Sequence, residues 1–154
     1  MTGDVRRLFV PGYDSGDVTV IDLKECRKVA TVKVGIHPSG GMVMPYDEDY
    51  AVVNRGSNTI SFIDMTVNEA RPGFASGLDQ EPFSMVATNS GRWGFVNNTA
   101  SASISVFDLD RYQPAGKVSV GAQPIVMAVH PGGRKLYVSC EGSHELAVVS
   151  VPAS

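Results

Sequence analysis

Leucine, cysteine, tryptophan and long apolar runs are all scarce in this chain of 154 residues. Six leucines stand against 22 valines. That imbalance disfavours long amphipathic helices and favours strands. Two cysteines, Cys26 and Cys140, are too few for a disulfide framework and leave the redox compartment open. No apolar stretch approaches the roughly 18 residues needed to span a bilayer, so membrane insertion is not expected. The opening Met-Thr-Gly-Asp-Val-Arg-Arg-Leu-Phe-Val has no apolar run behind its basic residues, so no signal peptide is read; localisation stays open, cytoplasmic by default and secreted or periplasmic if a leader has been removed. A dominant charge is missing too. Thirteen Lys and Arg against sixteen Asp and Glu give a net charge of −3 with no like-charged block. A nucleic-acid partner is therefore not expected.

Several motifs are absent as well. The chain has no phosphate-cradling Gly-x-x-x-x-Gly-Lys-Ser/Thr, no Gly-x-Ser-x-Gly nucleophile elbow, no His-Glu-x-x-His and no Cys-x-x-Cys-His. No cofactor and no metal are expected. Cys140, Glu141 and His144 supply good ligand types, but they fall short of the set a zinc site needs.

Turn formers, by contrast, are abundant: 16 glycines and 9 prolines, beside a 43% hydrophobic content sufficient for a core. They punctuate a repeat. The segments Leu8–Asp22, Ala51–Asp64, Gly94–Asp108 and Leu136–Ser150 superpose, with Phe9, Val52, Phe95 and Tyr137 spaced 43, 43 and 42 apart. Between them recur His37-Pro38, Glu81-Pro82 and Gln123-Pro124, followed by Met42, Met85 and Met127. A period near 42 residues, read as four short strands A to D per unit, predicts β-propeller blades rather than a helical solenoid. Strand A is expected innermost and D at the outer edge. The irregular stretch 67–76, with Pro72, fits an edge strand. The blades are read as a partial blade over 8–35, full blades over 36–77 and 78–121, and a partial blade over 122–151. That makes fourteen strands in about three and a half blades, forming one all-β domain.

These motifs resemble the YVTN-repeat propellers. The resemblance rests on Gly121-Ala-Gln-Pro124, Pro131-Gly-Gly-Arg-Lys-Leu-Tyr-Val138 and Val18-Thr-Val-Ile-Asp22. The chain departs from the pattern at Ser39-Gly40-Gly41, which adds a residue, and at Ser150, where Asp is expected. The resemblance implies a ring of about seven blades, of which this chain supplies half. Two chains completing a ring, a homodimer, is the favoured arrangement. The alternatives are closure by four blades alone and a fragment of a longer chain.

The repeat also nominates a site. In a propeller the D–A and B–C loops surround one mouth of the central channel, and equivalent positions that differ in chemistry are candidates for binding. These are the pre-proline residues His37, Glu81 and Gln123, with Asn54, Arg55, Asn97, Glu141 and His144 from the B–C loops. The mixture suits a small polar ligand, a peptide or a protein partner. The alternative is a lactonase-, hydrolase- or lyase-like enzyme, with His37 or His144 as general base and Glu81 as acid. Asp22, Asp64 and Asp108 recur at the end of strand C and read as turn-stabilising carboxylates. His130 falls on the opposite rim and reads as structural.

Overall fold

The computed structural model describes residues 6–46, 48–72 and 76–152. They contain fourteen strands and no helix, grouped into four antiparallel sheets. The first sheet is β1 (Arg7–Gly12), β2 (Asp17–Asp22) and β3 (Arg27–Lys33). The second is β4 (Pro38–Val43), β5 (Asp49–Asn54), β6 (Thr59–Asp64) and the two-residue β7 (Glu69–Ala70). The third is β8 (Pro82–Ala87), β9 (Trp93–Asn98), β10 (Ser103–Asp108) and β11 (Gln113–Ser119). The fourth is β12 (Pro124–Val129), β13 (Lys135–Cys140) and β14 (Glu145–Ser150). The pattern of three, four, four and three strands is the one counted from the sequence.

Side chains alternate across a strand, so each sheet carries two apolar sets. In the second sheet Tyr50, Val52 and Ile63 face the first, packing on Phe9, Val18, Val20 and Val32. Their neighbours Ala51, Val53, Ile60 and Phe62 face the third, packing on Met85, Val96, Phe107 and Leu109. The third sheet repeats the arrangement. Phe95 and Ile104 pack on Met127, Leu136, Val138 and Val151 of the fourth. An inner sheet must therefore be apolar on both faces, and β5 is buried at every position. The inner strands β4, β8 and β12 lie next to one another. β11, at the perimeter of its sheet, is exposed along its whole length.

The pairing registers correct the repeat alignment. β1, β5, β9 and β13 begin 42, 44 and 42 residues apart, so Ala51, not Val52, is the counterpart of Phe9, Phe95 and Tyr137. Likewise Gly41, not Met42, is the counterpart of Met85 and Met127, because all three pair with equivalent valines, Val52, Val96 and Val138. The Ser39-Gly40-Gly41 stretch therefore adds no residue. Matching by residue type misled because volume has been exchanged between positions. A Cβ on Gly41 would collide with the Tyr50 ring, whereas in the third sheet a Cβ on Gly94, the counterpart of Tyr50, would collide with the Met85 methyl. Gly41 beside Tyr50 and Met85 beside Gly94 fill the same space in opposite ways.

The inner strands start at the proline itself. In each, a register shift follows the proline, between Pro38 and Gly41, Pro82 and Met85, and Pro124 and Val126. Such bulges re-aim side chains, and they break the period-two signal that would reveal a strand.

Polar ties join the sheets at the rim opposite the proline turns. The Arg7 guanidinium donates to the Met65 carbonyl and to Asn68 Oδ1. The Tyr112 hydroxyl donates to Asp49 Oδ2 at 2.7 Å. Buried Asp49 also accepts both of its Arg71 Nε contacts, at 2.7 and 2.8 Å. Burial, with Asp49 adding to it, pushes the Tyr112 hydroxyl up to about 12. Asp22 accepts the Lys24 and Glu25 amides, Asp64 the Thr66 amide and Asp108 the Arg111 amide. The recurrent carboxylates thus close turns, as their repetition implied. His130 Nδ1 accepts the Gly132 amide in an A–B turn.

The exchange of volume predicts a thermodynamic coupling. Gly41→Met alone should destabilise by about 1–3 kcal/mol through overpacking. Tyr50→Gly alone should cost about 3–5 kcal/mol, as loss of a large aromatic does. The double variant, which reproduces the third sheet's pairing, should be more stable than the sum of the two predicts. Urea denaturation of the four proteins measures this, and additivity would show that the two positions do not share the space.

Candidate functional site

The proline turns and the B–C loops meet on one rim. Residues His37, Glu81 and Gln123 all adopt left-handed backbone, with φ of 50, 55 and 51°. That region is uncommon outside glycine and costs on the order of 1–3 kcal/mol. Each pre-proline carbonyl is latched to its own B–C loop. His37 O accepts the Arg55 amide at 3.0 Å, Glu81 O the Thr99 amide at 2.9 Å, and Gln123 O the Glu141 amide at 3.0 Å. The strain recurs in three sheets and so belongs to the architecture; only the side chains differ.

Two of those side chains are engaged from the preceding sheet. Tyr13, on the first B–C loop, stacks on His37 with ring centroids 4.4 Å apart and planes at 6°. Arg55, on the second, donates Nη2 to Glu81 Oε2 at 2.7 Å. Thr99 Oγ1 donates to the Glu81 carbonyl at 3.0 Å and lies 3.3 Å from its Oε2. The hydrogen-bonded Arg55 guanidinium holds the Glu81 carboxyl below the ordinary carboxylate range. Both partners are substantially exposed, so the pair adds little to stability.

Arg55, Glu81, Gln123 and Glu141 line one open cleft of about 380 Å³, with Thr99, Ala100, Phe83 and Ile125. Four of the eight sequence-derived candidates are thereby brought together. Phe83 and Ile125 were missed; they are the residues immediately after Pro82 and Pro124, where the bulges turn them out of the sheet packing. Their position after a proline, not any periodicity, is the only signal that marks them. His144 sits apart, in a neighbouring cleft of about 430 Å³ with Cys140, Glu141, Glu145, Ile125 and Leu146. It occupies the left-handed turn position that Gly16, Asn58 and Ala102 hold in the other B–C loops. Among the described residues no three His, Cys, Asp or Glu side chains converge as a ligand set.

Asn54 and Asn97 belong to the scaffold. Both are fully buried. Asn54 Oδ1 accepts the Gly35 amide at 3.1 Å, while its Nδ2 donates to Thr59 and Ser61. Asn97 Oδ1 accepts the Ser84 amide and hydroxyl, and its Nδ2 donates to the carbonyls of Pro124 and Ile125 in the next sheet. Asn97 thus fastens the floor of the cleft. In sequence an asparagine that closes such a network is indistinguishable from one that faces solvent.

No family model matches the sequence, and no curated protein matches it. Solved structures do. A chain of Kuenenia stuttgartiensis hydrazine synthase superposes with a TM-score of 0.88 at 19% identity, over 97% of this chain and 44% of that one. A Bacteroides uniformis protein provisionally assigned as a 6-phosphogluconolactonase gives 0.82 at 14% identity, over 99% and 52%. A Desulfotomaculum acetoxidans protein of unknown function gives 0.79 at 15% identity, over 95% and 51%. The four sheets are propeller blades. The chain spans about half the length of these structures, and at such identities the likeness shows the fold alone. Support for the YVTN-repeat family in particular is absent from these matches; what they share with the chain is the blade architecture.

Two outcomes separate scaffold from rim. Asn97→Ala should destabilise by about 1–3 kcal/mol, because it orphans buried groups on two blades. Arg55→Ala should leave the melting temperature nearly unchanged. Glu81 is held ionised in the fold, so its bridge persists at neutral pH and is lost only as pH falls through its lowered titration range. A carboxyl-detected NMR titration should find Glu81 titrating below an ordinary glutamate and returning toward it in Arg55→Ala.

Proposed function

We propose that this chain is a binding module whose D–A and B–C loops hold a small polar ligand or short peptide bearing both an ammonium and a carboxylate, acting as a homodimer. One observation carries the reading. The cleft sets the Arg55–Glu81 pair, with Gln123 and Glu141, over the apolar surfaces of Phe83 and Ile125. A guanidinium can take a carboxylate bidentately, and Glu141 offers an acceptor to an ammonium. The apolar floor supplies area, and the few polar groups supply orientation.

The enzyme reading draws less support from the same geometry. Glu81 is held ionised and is therefore a poor general acid near neutrality. The His37 ring is stacked on Tyr13, and His144 lines a different cleft from Arg55 and Glu81. A base and an acid that act on one substrate need to meet across it.

Titration of the ¹⁵N-labelled chain with an unblocked dipeptide such as Ala-Phe should shift the amides of Arg55, Glu81, Thr99, Gln123 and Glu141. The doubly blocked dipeptide should shift them much less. Arg55→Ala and Glu141→Ala should each weaken binding by about tenfold or more, an energy of about 1.4 kcal/mol, without unfolding the chain. Equal shifts from both dipeptides would overturn the charge-reading part of the proposal. Hydrolysis of a δ-lactone that depends on His37 or His144, without dipeptide binding, would put the enzyme in its place.

A further inference from the structure

The blades pack by a single rule: the face carrying Ala51, Ile60 and Phe62 in one blade meets the face carrying Tyr50, Val52 and Ile63 in the next. Two faces obey the rule in composition and lack a partner within the described residues. On the first blade, Leu8, Val10 and Leu23 are 45%, 40% and 41% exposed. Their counterparts Tyr50, Val52 and Met65 are 6%, 0% and 8% exposed, and Leu136, Val138 and Val151 are 0%, 0% and 7%. On the fourth blade, Leu146 and Val148 are 65% and 53% exposed, whereas Ile60 and Phe62 at the same positions are 0% and 4%. Val126 adds to that face. Exposed apolar faces of this kind mark interaction surfaces.

We propose that the first-blade face of one copy packs head to tail on the fourth-blade face of a second copy, so that two such junctions close a two-fold pair of eight blades, one more than the resemblance implies. The inference rests on the homodimer reading above and specifies its surfaces. A partner for the fourth-blade face must present the complementary set of positions, and the first-blade face of this chain does so. Like faces do not meet at any of the three junctions inside the chain, which argues against a face-to-face dimer. A polar detail points the same way. Arg7 and Asp49, at the start of strand B, each bond to the C–D turn of the following blade, through Asn68 and Tyr112 respectively. Lys135 holds that position on the fourth blade. The matching turn on the first blade ends at Cys26, whose φ of 49° parallels 58° at Asn68 and 53° at Tyr112. In the proposed junction Lys135 stands at the position from which Arg7 and Asp49 reach the next blade, and the Leu23–Cys26 turn of the second copy takes the place of the turns they reach. Two reciprocal junctions satisfy both faces of both chains and leave no apolar end exposed.

Sedimentation equilibrium over the micromolar range tests this. The unmodified chain should be a dimer. A variant with Leu8→Glu and Val10→Glu, and another with Leu146→Glu and Val148→Glu, should each be monomeric alone. Their mixture should form a one-to-one pair, because each supplies the intact face that the other has lost. Serine at the same four positions gives the same comparison should the glutamate variants fail to fold. A monomeric unmodified chain overturns the dimer reading and this inference with it, leaving a further blade or another protein as the occupant. A dimer retained by either variant, or two folded variants that do not pair, overturns the head-to-tail geometry alone.

Discussion

Burial of each blade on both faces is the constraint on which everything else here depends. An isolated antiparallel sheet of three or four short strands is a single layer that buries neither face, so each of these gains a core only from its neighbours. The alternation of side chains makes the two faces independent sets, so one strand serves two cores at once. β5 shows the consequence: Tyr50 and Val52 complete one core while Ala51 and Val53 complete the next. No single blade is a folding unit. The same logic makes the outer faces of the first and fourth blades sticky by construction rather than by specialisation.

Much of this was legible because turn chemistry and strand composition repeat. Prolines after a polar residue and a carboxylate at the end of three of the four C strands mark a period, and strand count follows from it. What failed was alignment inside the strands. Phe9 was matched to Val52 because both are large and apolar, but packing constrains the summed volume of neighbours, not the identity at one position. Gly41 with Tyr50 satisfies the same space as Met85 with Gly94. Residue type is therefore a weaker guide to register than a turn carboxylate such as Asp22, Asp64 or Asp108. These keep the observed 42- and 44-residue spacings because their role is set by backbone amides.

The site divides along the same line. Arg55, Glu81, Gln123 and Glu141 could be chosen because they differ where the repeat permits difference. Asn54 and Asn97 could not be sorted from them, because an amide that satisfies buried backbone and one that greets a ligand are the same residue. Only the network distinguishes them, and networks couple residues as distant as Asn97 and Pro124. Phe83 and Ile125 escaped for a different reason. A bulge puts two residues opposite one, and a sequence carries no reliable mark of it.

The pre-proline positions explain how a fixed set of blades can carry a variable rim. The left-handed backbone there disfavours β-branched residues most, and the surrounding structure carries the cost it imposes on His37, Glu81 and Gln123. The carbonyl of each is committed to its own B–C loop, and the following proline donates nothing. His37, Glu81 and Gln123 therefore differ freely in side chain while their backbones do identical work. The scaffold holds each in a strained conformation that packing on both sides enforces, and the side chain emerges toward the loop of the preceding blade. Tyr13 on His37 and Arg55 on Glu81 are two outcomes of that one geometry, the first an aromatic stack and the second an ion pair. Changing the rim's chemistry then requires only that the pre-proline residue and the loop before it change together, leaving the three inter-blade cores untouched.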